Sequence, residues 1–123
     1  MAGKSYRDLM AWQKAMKLVT EIYAKTEGFP KTETFGLSAQ MRRAAVSVPS
    51  NIAEGQGRDS PKEFLHHLSF AYGSLMETET QLQIAANLGF LTNADVTDLL
   101  EQTAEVGRLI NGLSRSLRMG PNN

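Results

Sequence analysis

Three groupings of polar residues have types and spacings that chemistry uses: Glu63-x-x-His66, Gly55-Gln56-Gly57-Arg58 and Arg42-Arg43. The first has the spacing of a carboxylate–imidazole ligand pair on one helical face. Di-iron helical bundles use two such pairs, with further carboxylates from the other helices. His66 and His67 are the only histidines and stand side by side, so a second pair cannot be built. A metal-dependent enzyme therefore fails on ligand count, and Glu63 is accounted for as a helix-capping residue. Nucleophilic catalysis also lacks its parts, because Ser60 reads as a cap and neither histidine has an evident orienting acid. An all-helical nuclease of the HEPN type needs an arginine and a histidine a short gap apart, and Arg58 and His66 are too widely spaced. Cysteine is absent, which removes thiol catalysis, disulfides and cysteine-ligated zinc. The expectation is a protein without catalytic residues, metal ligands or cofactors.

The other two groupings concern anions. Gly55-Gln56-Gly57-Arg58 precedes a helix start, where free amides suit a phosphate and Arg58 stands alongside. It lacks the lysine and the length of a P-loop, and a left-handed glycine C-cap followed by a turn is the simpler reading. Arg42 and Arg43 point about 100° apart on a helix, so at most one lies near an apolar seam. One is expected to pair with an acid across an interface while the other faces solvent. Arg42, Arg43 and Arg58 are the candidate contacts to nucleic acid or another anion. Lys+Arg and Asp+Glu balance at 13 each, so any polyanion-binding surface must be local. Residues 1–58 carry nine Lys/Arg against five Asp/Glu, and residues 59–123 carry four against eight. Oppositely charged halves suit head-to-tail subunit contacts as readily as nucleic acid.

The elements that position these residues read as four helices in one domain, residues 1–123. The expected spans are about 7–26, 33–54, 61–88 and 93–117. On the first, Leu9, Trp12, Met16, Val19 and Tyr23 recur at steps of three and four as a heptad seam, with Leu18 and Ile22 as a flanking line. That stripe is wider than one seam needs, so the helix should touch two partners or a neighbouring subunit. Lys14, Lys17 and Lys25 read as a solvated face. The second helix runs through Leu37, Met41, Ala44, Ala45, Val48 and Ile52, with a kink expected at Pro49 because proline removes an amide donor and crowds the Ala45 carbonyl. Ser47, Ser50 and Asn51 are placed to satisfy the loosened backbone. Ser60-Pro61-Lys62-Glu63 is a strong start for the third helix, whose seam is Phe64, Leu68, Ala71, Leu75, Thr78, Leu82 and Ala85. Gly89 caps it, Phe90-Leu91 folds back on the bundle end, and Thr92 caps the fourth helix, with its seam at Val96, Leu99, Thr103, Val106, Ile110, Leu113 and Leu117. Met1–Ser5 and Met119–Asn123 read as frayed tails. The fold class expected is all-α, an antiparallel up-down four-helix bundle. No apolar run reaches membrane length and no h-region opens the chain, so the expected setting is the cytosol, away from any membrane.

Several runs together carry a resemblance. They are Leu9-x-x-Trp12-Gln13-x-Ala15, Tyr23 with Phe29-Pro30, Gly36-Leu37-x-x-Gln40, the unbroken Arg42–Gly55 segment, Gly57-Arg58, Glu63-Phe64, Gly73-Ser74-Leu75, Glu77-x-Glu79-Thr80 and Leu88-Gly89. The chain resembles the four-helix bundle proteins encoded by intervening sequences in bacterial 23S ribosomal RNA genes, over about Tyr6 to Leu117. That resemblance implies an up-down bundle assembled as a ring, typically a homopentamer around a central channel, cytosolic and non-enzymatic, of undefined cellular role. A related branch is the accessory variability determinant of diversity-generating retroelements, a basic pentamer that binds nucleic acid and works with a reverse transcriptase. The alternative function is thus a dedicated RNA- or DNA-binding accessory protein acting with a reverse transcriptase or with rRNA. The net neutrality of this chain departs from that branch. Arg42, Arg43 and Arg58 match family positions, and the family supplies no catalytic residues.

Overall fold

The computed structural model describes residues 5–120, and every regular element among them is helical. Helix α1 spans Met10–Thr26, α2 Leu37–Gln56, α3 Pro61–Asn87 and α4 Asn93–Met119, with short 3-10 turns at Tyr6–Asp8 and Lys31–Glu33. Local chemistry sets most of these boundaries. Ser60 Oγ accepts the Glu63 amide at 3.2 Å, and Pro61 fills the first turn of α3. Thr92 Oγ accepts the Asp95 amide at 3.1 Å to open α4. Gly89 takes φ +76° just past the end of α3, a conformation that side chains with a Cβ avoid. Phe90 then folds back, its ring 5.3 Å from that of Phe29.

Three boundaries differ from the sequence expectation: α1 begins at Met10, because extended Leu9 separates it from the 3-10 turn Tyr6–Asp8, and α2 differs at both ends. The second helix begins at Leu37, later than expected, because the chain first makes the 3-10 turn Lys31–Glu33 and the Glu33 carboxylate then accepts the Leu37 amide at 3.0 Å. At its other end neither Gly55 nor Gly57 is left-handed. Gly55 lies inside α2 and Gly57 caps it with right-handed dihedrals, its amide donating to the Ala53 carbonyl. Gly55 has a packing reason instead: a Cβ built there would stand 2.7 Å from Cβ of His67 and 3.3 Å from the Phe64 carbonyl oxygen. The absence of a side chain lets α2 and α3 approach. Of the expected tails, Ser5 caps the first 3-10 turn and Met119 ends α4; Met1–Lys4 and Pro121–Asn123 lie outside the described residues.

Each helix packs on two others. α1 contacts α2 and α4, and α3 contacts α2 and α4, so α1 and α3 stand on one diagonal of the bundle and α2 and α4 on the other. The expected seams of α2, α3 and α4 turn inward, with Met41, Val48, Ile52, Leu68, Leu75, Leu82, Leu99, Val106 and Ile110 at 1% exposure or less. Burying such side chains contributes about 1.5–3 kcal/mol each. Helix α1 is the exception. Ala11, Ala15, Leu18 and Ile22 face the core, while Met16 and Tyr23 of the expected seam are more than 40% exposed. The two alanines let α1 sit close to its neighbours, whereas the bulk of Trp12, Met16 and Tyr23 at the same place would hold it off. Lys14 and Lys25 are also not merely solvated: they pair with Glu105 (3.9 Å) and Asp95 (3.0 Å) of α4.

Candidate functional surface

Arg42 and Arg43 sit next to each other in α2 but serve different faces. Arg42 turns toward the last turn of α1. Its Nε donates to Thr26 Oγ1 at 2.8 Å, and its Nη2 donates to the Tyr23 carbonyl and to Glu27 Oε2, both at 3.2 Å. The guanidinium also stacks over the Tyr23 ring, 4.5 Å from its centroid. The Tyr23 carbonyl also accepts the Glu27 amide and the Thr26 hydroxyl, and the last turn of a helix carries partial negative charge, so a cation placed there ties the two helices together. The acid partner expected for one of the two arginines is Glu27 of the same chain. Arg43 is exposed and makes no hydrogen bond or ion pair among the described residues. It lines a shallow hollow between α2 and α3 with Gln40, Ser47, Ser74 and Glu77.

Behind that hollow runs a polar seam between α2 and α3. Ser74 Oγ donates to Ser47 Oγ at 2.9 Å, and Asn51 Nδ2 donates to the Ser47 carbonyl and hydroxyl at 2.9 and 3.0 Å. Asn51 Oδ1 lies 3.2 Å from His67 Nδ1, which therefore carries the proton and donates. Pro49 is buried within α2. Asn51 thus serves the carbonyl of Ser47 rather than that of Ala45, and Ser50 faces solvent.

Arg58 belongs to the opposite end of α2, and the structure does not bring it to the other two arginines. Sixteen residues of helical rise from Arg42 is about 24 Å. Its guanidinium is held by Glu54 at 3.0 Å and Glu63 at 3.8 Å. The Arg58 amide donates to the Gly55 carbonyl, so the Gly-x-Gly-Arg segment uses its own donors as a turn. His66 packs edge-on against Phe70, ring centroids 4.5 Å apart. Among the described residues no three His, Asp or Glu side chains gather as metal ligands would.

The charge division is partly satisfied inside the chain, since Lys25–Asp95, Lys14–Glu105 and Arg58–Glu63 each join the basic half to the acidic half. The Lys25 hydrogen bond is the main cause holding the Asp95 carboxyl below its ordinary value; partial burial opposes it, and the Thr92 hydroxyl and the Lys25 charge assist. What sequence reasoning missed was the grip on Arg42. Its signal was present in the aromatic and acid at Tyr23 and Glu27, which end the helix that α2 must pack against.

The family model of the 23S rRNA-intervening sequence protein matches residues 7–112, a span that holds all three arginines and most of α4. The chain belongs to that family. A solved relative in fold is a protein of unknown function from the S23 ribosomal protein family of Bacteroides thetaiotaomicron, known as a crystal structure. It superposes with a TM-score of 0.79 at 20% identity, over 86% of this chain and 96% of that one. No curated protein matches the chain. For this member of the intervening-sequence family, two of the three arginines are thus occupied within the bundle and Arg43 is the one presented to solvent. None of its described helices is long and apolar enough to cross a membrane.

Proposed function

We propose that this protein is a non-enzymatic, cytosolic scaffold that works as a ring-shaped homo-oligomer, with the pentamer of the family resemblance as the expected size. The observation that carries the reading is a pair of uncovered apolar strips. One lies on α1, where Met16 and Tyr23 are exposed beside half-buried Trp12 and Val19; the other, interrupted by exposed Glu77, lies on α3 and its C-cap, where Phe70, Ile84 and Leu88 are exposed on the face that carries Gly73. The open space over Gly73 suits the close approach of another helix. Because α1 and α3 are diagonal, the strips face different directions, and joining one copy's α1 strip to another's α3 strip is a heterologous contact, the kind that builds a ring when the rotation between copies closes. Phe35, 95% exposed in the turn before α2, adds a further apolar anchor. Connections of a few residues at Gly57–Ser60 and Leu88–Thr92 favour the antiparallel up-down order on which this placement of strips depends. Light scattering on the purified chain tests the reading: a higher-order species at micromolar concentration supports it, and a monomer there ends it.

Arg43 supports a second reading, in which the assembly contacts RNA or DNA and serves as an accessory to rRNA or a reverse transcriptase. An unpaired arginine repeated around a ring would give each copy one phosphate contact without requiring a basic chain. Binding should then weaken with salt as counterions are released, and Arg43→Ala should flatten that dependence while leaving the helical content unchanged. Failure to retain structured RNA at ~50 mM salt removes this reading.

A further inference from the structure

Helix α4 divides its charges by halves. Residues 93–105 carry Asp95, Asp98, Glu101 and Glu105 and no Lys or Arg, while residues 106–119 carry Arg108, Arg115 and Arg118 and no Asp or Glu. The dipole of α4 accounts only for the ends, Asp95 and Arg118, because its effect falls off within the first and last turns. Glu101, Glu105 and Arg108 lie two turns or more from either end. The chain does little to balance them. Asp95 pairs with Lys25, and Glu105 stands 3.9 Å from Lys14 in an exposed pair. Asp98 accepts only the neutral Gln102 amide. Glu101, Arg108 and Arg115 are exposed and make no ion pair among the described residues. Glu101 and Glu105, one turn apart, repel each other.

These side chains share one stripe. Asp98, Glu101, Glu105, Arg108, Gly112 and Arg115 recur at alternate steps of three and four, on the side of α4 opposite its buried line Leu99, Thr103, Val106 and Ile110. Ala94 and Met119 continue the stripe at its ends. Laid antiparallel on a second copy of itself, centred between Val106 and Gly107, the stripe sets Asp98 against Arg115 and Glu105 against Arg108. Two-fold symmetry makes each pair twice. A parallel pairing in register sets like charge on like charge instead. In the same antiparallel register Glu101 meets Gly112, where the space beyond the backbone is open. A shallow hollow around Ala94, Thr97 and Glu101 then falls on another around Gly112, Ser116 and Met119. Met119 is 54% exposed and is the apolar side chain offered to the Ala94 hollow.

We propose that the outer face of α4 docks a second copy of this chain, antiparallel and two-fold symmetric, through the Asp98–Arg115 and Glu105–Arg108 pairs. Charge complementarity names the occupant, since the face is complementary to itself when reversed. The contact uses neither the α1 nor the α3 strip, so it is independent of the ring reading. Few apolar side chains line it, so it is a low-affinity contact held by exposed charges, and salt disperses it.

The chain has no cysteine, so an engineered pair reads this contact whatever else the chain assembles into. In the proposed register residue 101 of one copy lies opposite residue 112 of the other, within reach of a disulfide. Within one chain the two positions are about 16 Å apart along the helix. Glu101→Cys with Gly112→Cys should therefore give a cross-linked dimer on oxidation at low salt, and Glu101→Cys alone should not. Adding Arg115→Glu, or separately Asp98→Arg, should cut the cross-linking rate by about tenfold or more, because each places like charges together at both symmetric contacts. Mixing those two variants should restore the rate, since the mixed dimer has opposite charges at both contacts. Restoration also shows that neither variant failed to fold. No cross-link in the double-cysteine chain, an equal yield from Glu101→Cys alone, a rate indifferent to Arg115→Glu, or no recovery on mixing overturns the proposal.

Discussion

Replacing Gly55 by alanine sets two opposed effects against each other, and the geometry decides the sign. Alanine is the better helix former by about 0.8–1 kcal/mol in a helix interior. The new Cβ, however, would stand 2.7 Å from Cβ of His67, 3.0 Å from Cδ1 of Phe64 and 3.3 Å from the Phe64 carbonyl oxygen. Two of those atoms are fixed to the α3 backbone, so relief requires the helices to separate rather than a side chain to rotate. Overpacking of this kind costs about 1–3 kcal/mol. It also threatens the 3.2 Å contact between His67 and Asn51. The net expectation is a loss of up to about 2 kcal/mol, or a melting point lower by up to roughly 10 °C for a domain of this size. Urea unfolding followed by far-UV circular dichroism measures it, at fixed protomer concentration because assembly would couple to stability. Gly112→Ala is the control, since it lies inside α4 with nothing within 4 Å of the methyl that alanine would add, and it should gain up to about 1 kcal/mol. If Gly55→Ala gains as much stability as Gly112→Ala, the close α2–α3 approach is not what the glycine serves.

Gly73→Ala should likewise stabilise an isolated protomer by up to about 1 kcal/mol, because its site is open, yet shift light scattering toward smaller species if a second copy approaches there. Ile84→Asp, on the same side of α3, should disperse the proposed oligomer with little change in helical content. Arg42→Ala should cost about 1.5–3 kcal/mol in chemical unfolding, the range for hydrogen bonds to a charged group. Arg42→Lys should recover only part of that loss, since lysine lacks the planar fork that meets Thr26, Tyr23 and Glu27 together. Lys25→Ala should raise the Asp95 carboxyl toward its ordinary value in an NMR pH titration. With the folded value depressed, the Lys25–Asp95 contribution is present above the ordinary carboxylate range and fades as acid titrates through the lowered value. An Asp95 titration unchanged by Lys25→Ala would contradict the assigned cause.

Three of the four helices were legible because their apolar residues form one line each. Leu68, Ala71, Leu75, Thr78, Leu82 and Ala85 can face only one way, and all are buried. The α3 and α4 starts were legible for a different reason, as Ser60 and Thr92 satisfy amides within three residues of themselves. The candidate site was less readable. Its three arginines were visible as residue types, but the partners of Arg42, namely Tyr23, Thr26 and Glu27, come from another part of the chain, 15 to 19 positions away. Sequence spacing does not say which way Arg42 and Arg43 turn, only that they cannot both turn the same way.

Helix α1 shows where the division falls. Its two apolar lines are both periodic, and nothing local distinguishes Ala11, Ala15, Leu18 and Ile22 from Trp12, Met16, Val19 and Tyr23 as the inner one. Packing made the choice: two alanines let α1 close against its neighbours, and the bulkier line was left half-covered. The sequence by itself determined that there would be four helices, where α3 and α4 start and which faces of α2, α3 and α4 are apolar, because those depend on neighbours a turn away. Only the tertiary structure decided the inward face of α1, the capture of Arg42 and the exposure of Arg43. Those depend on which helix lies alongside, and distant parts of the chain set that together.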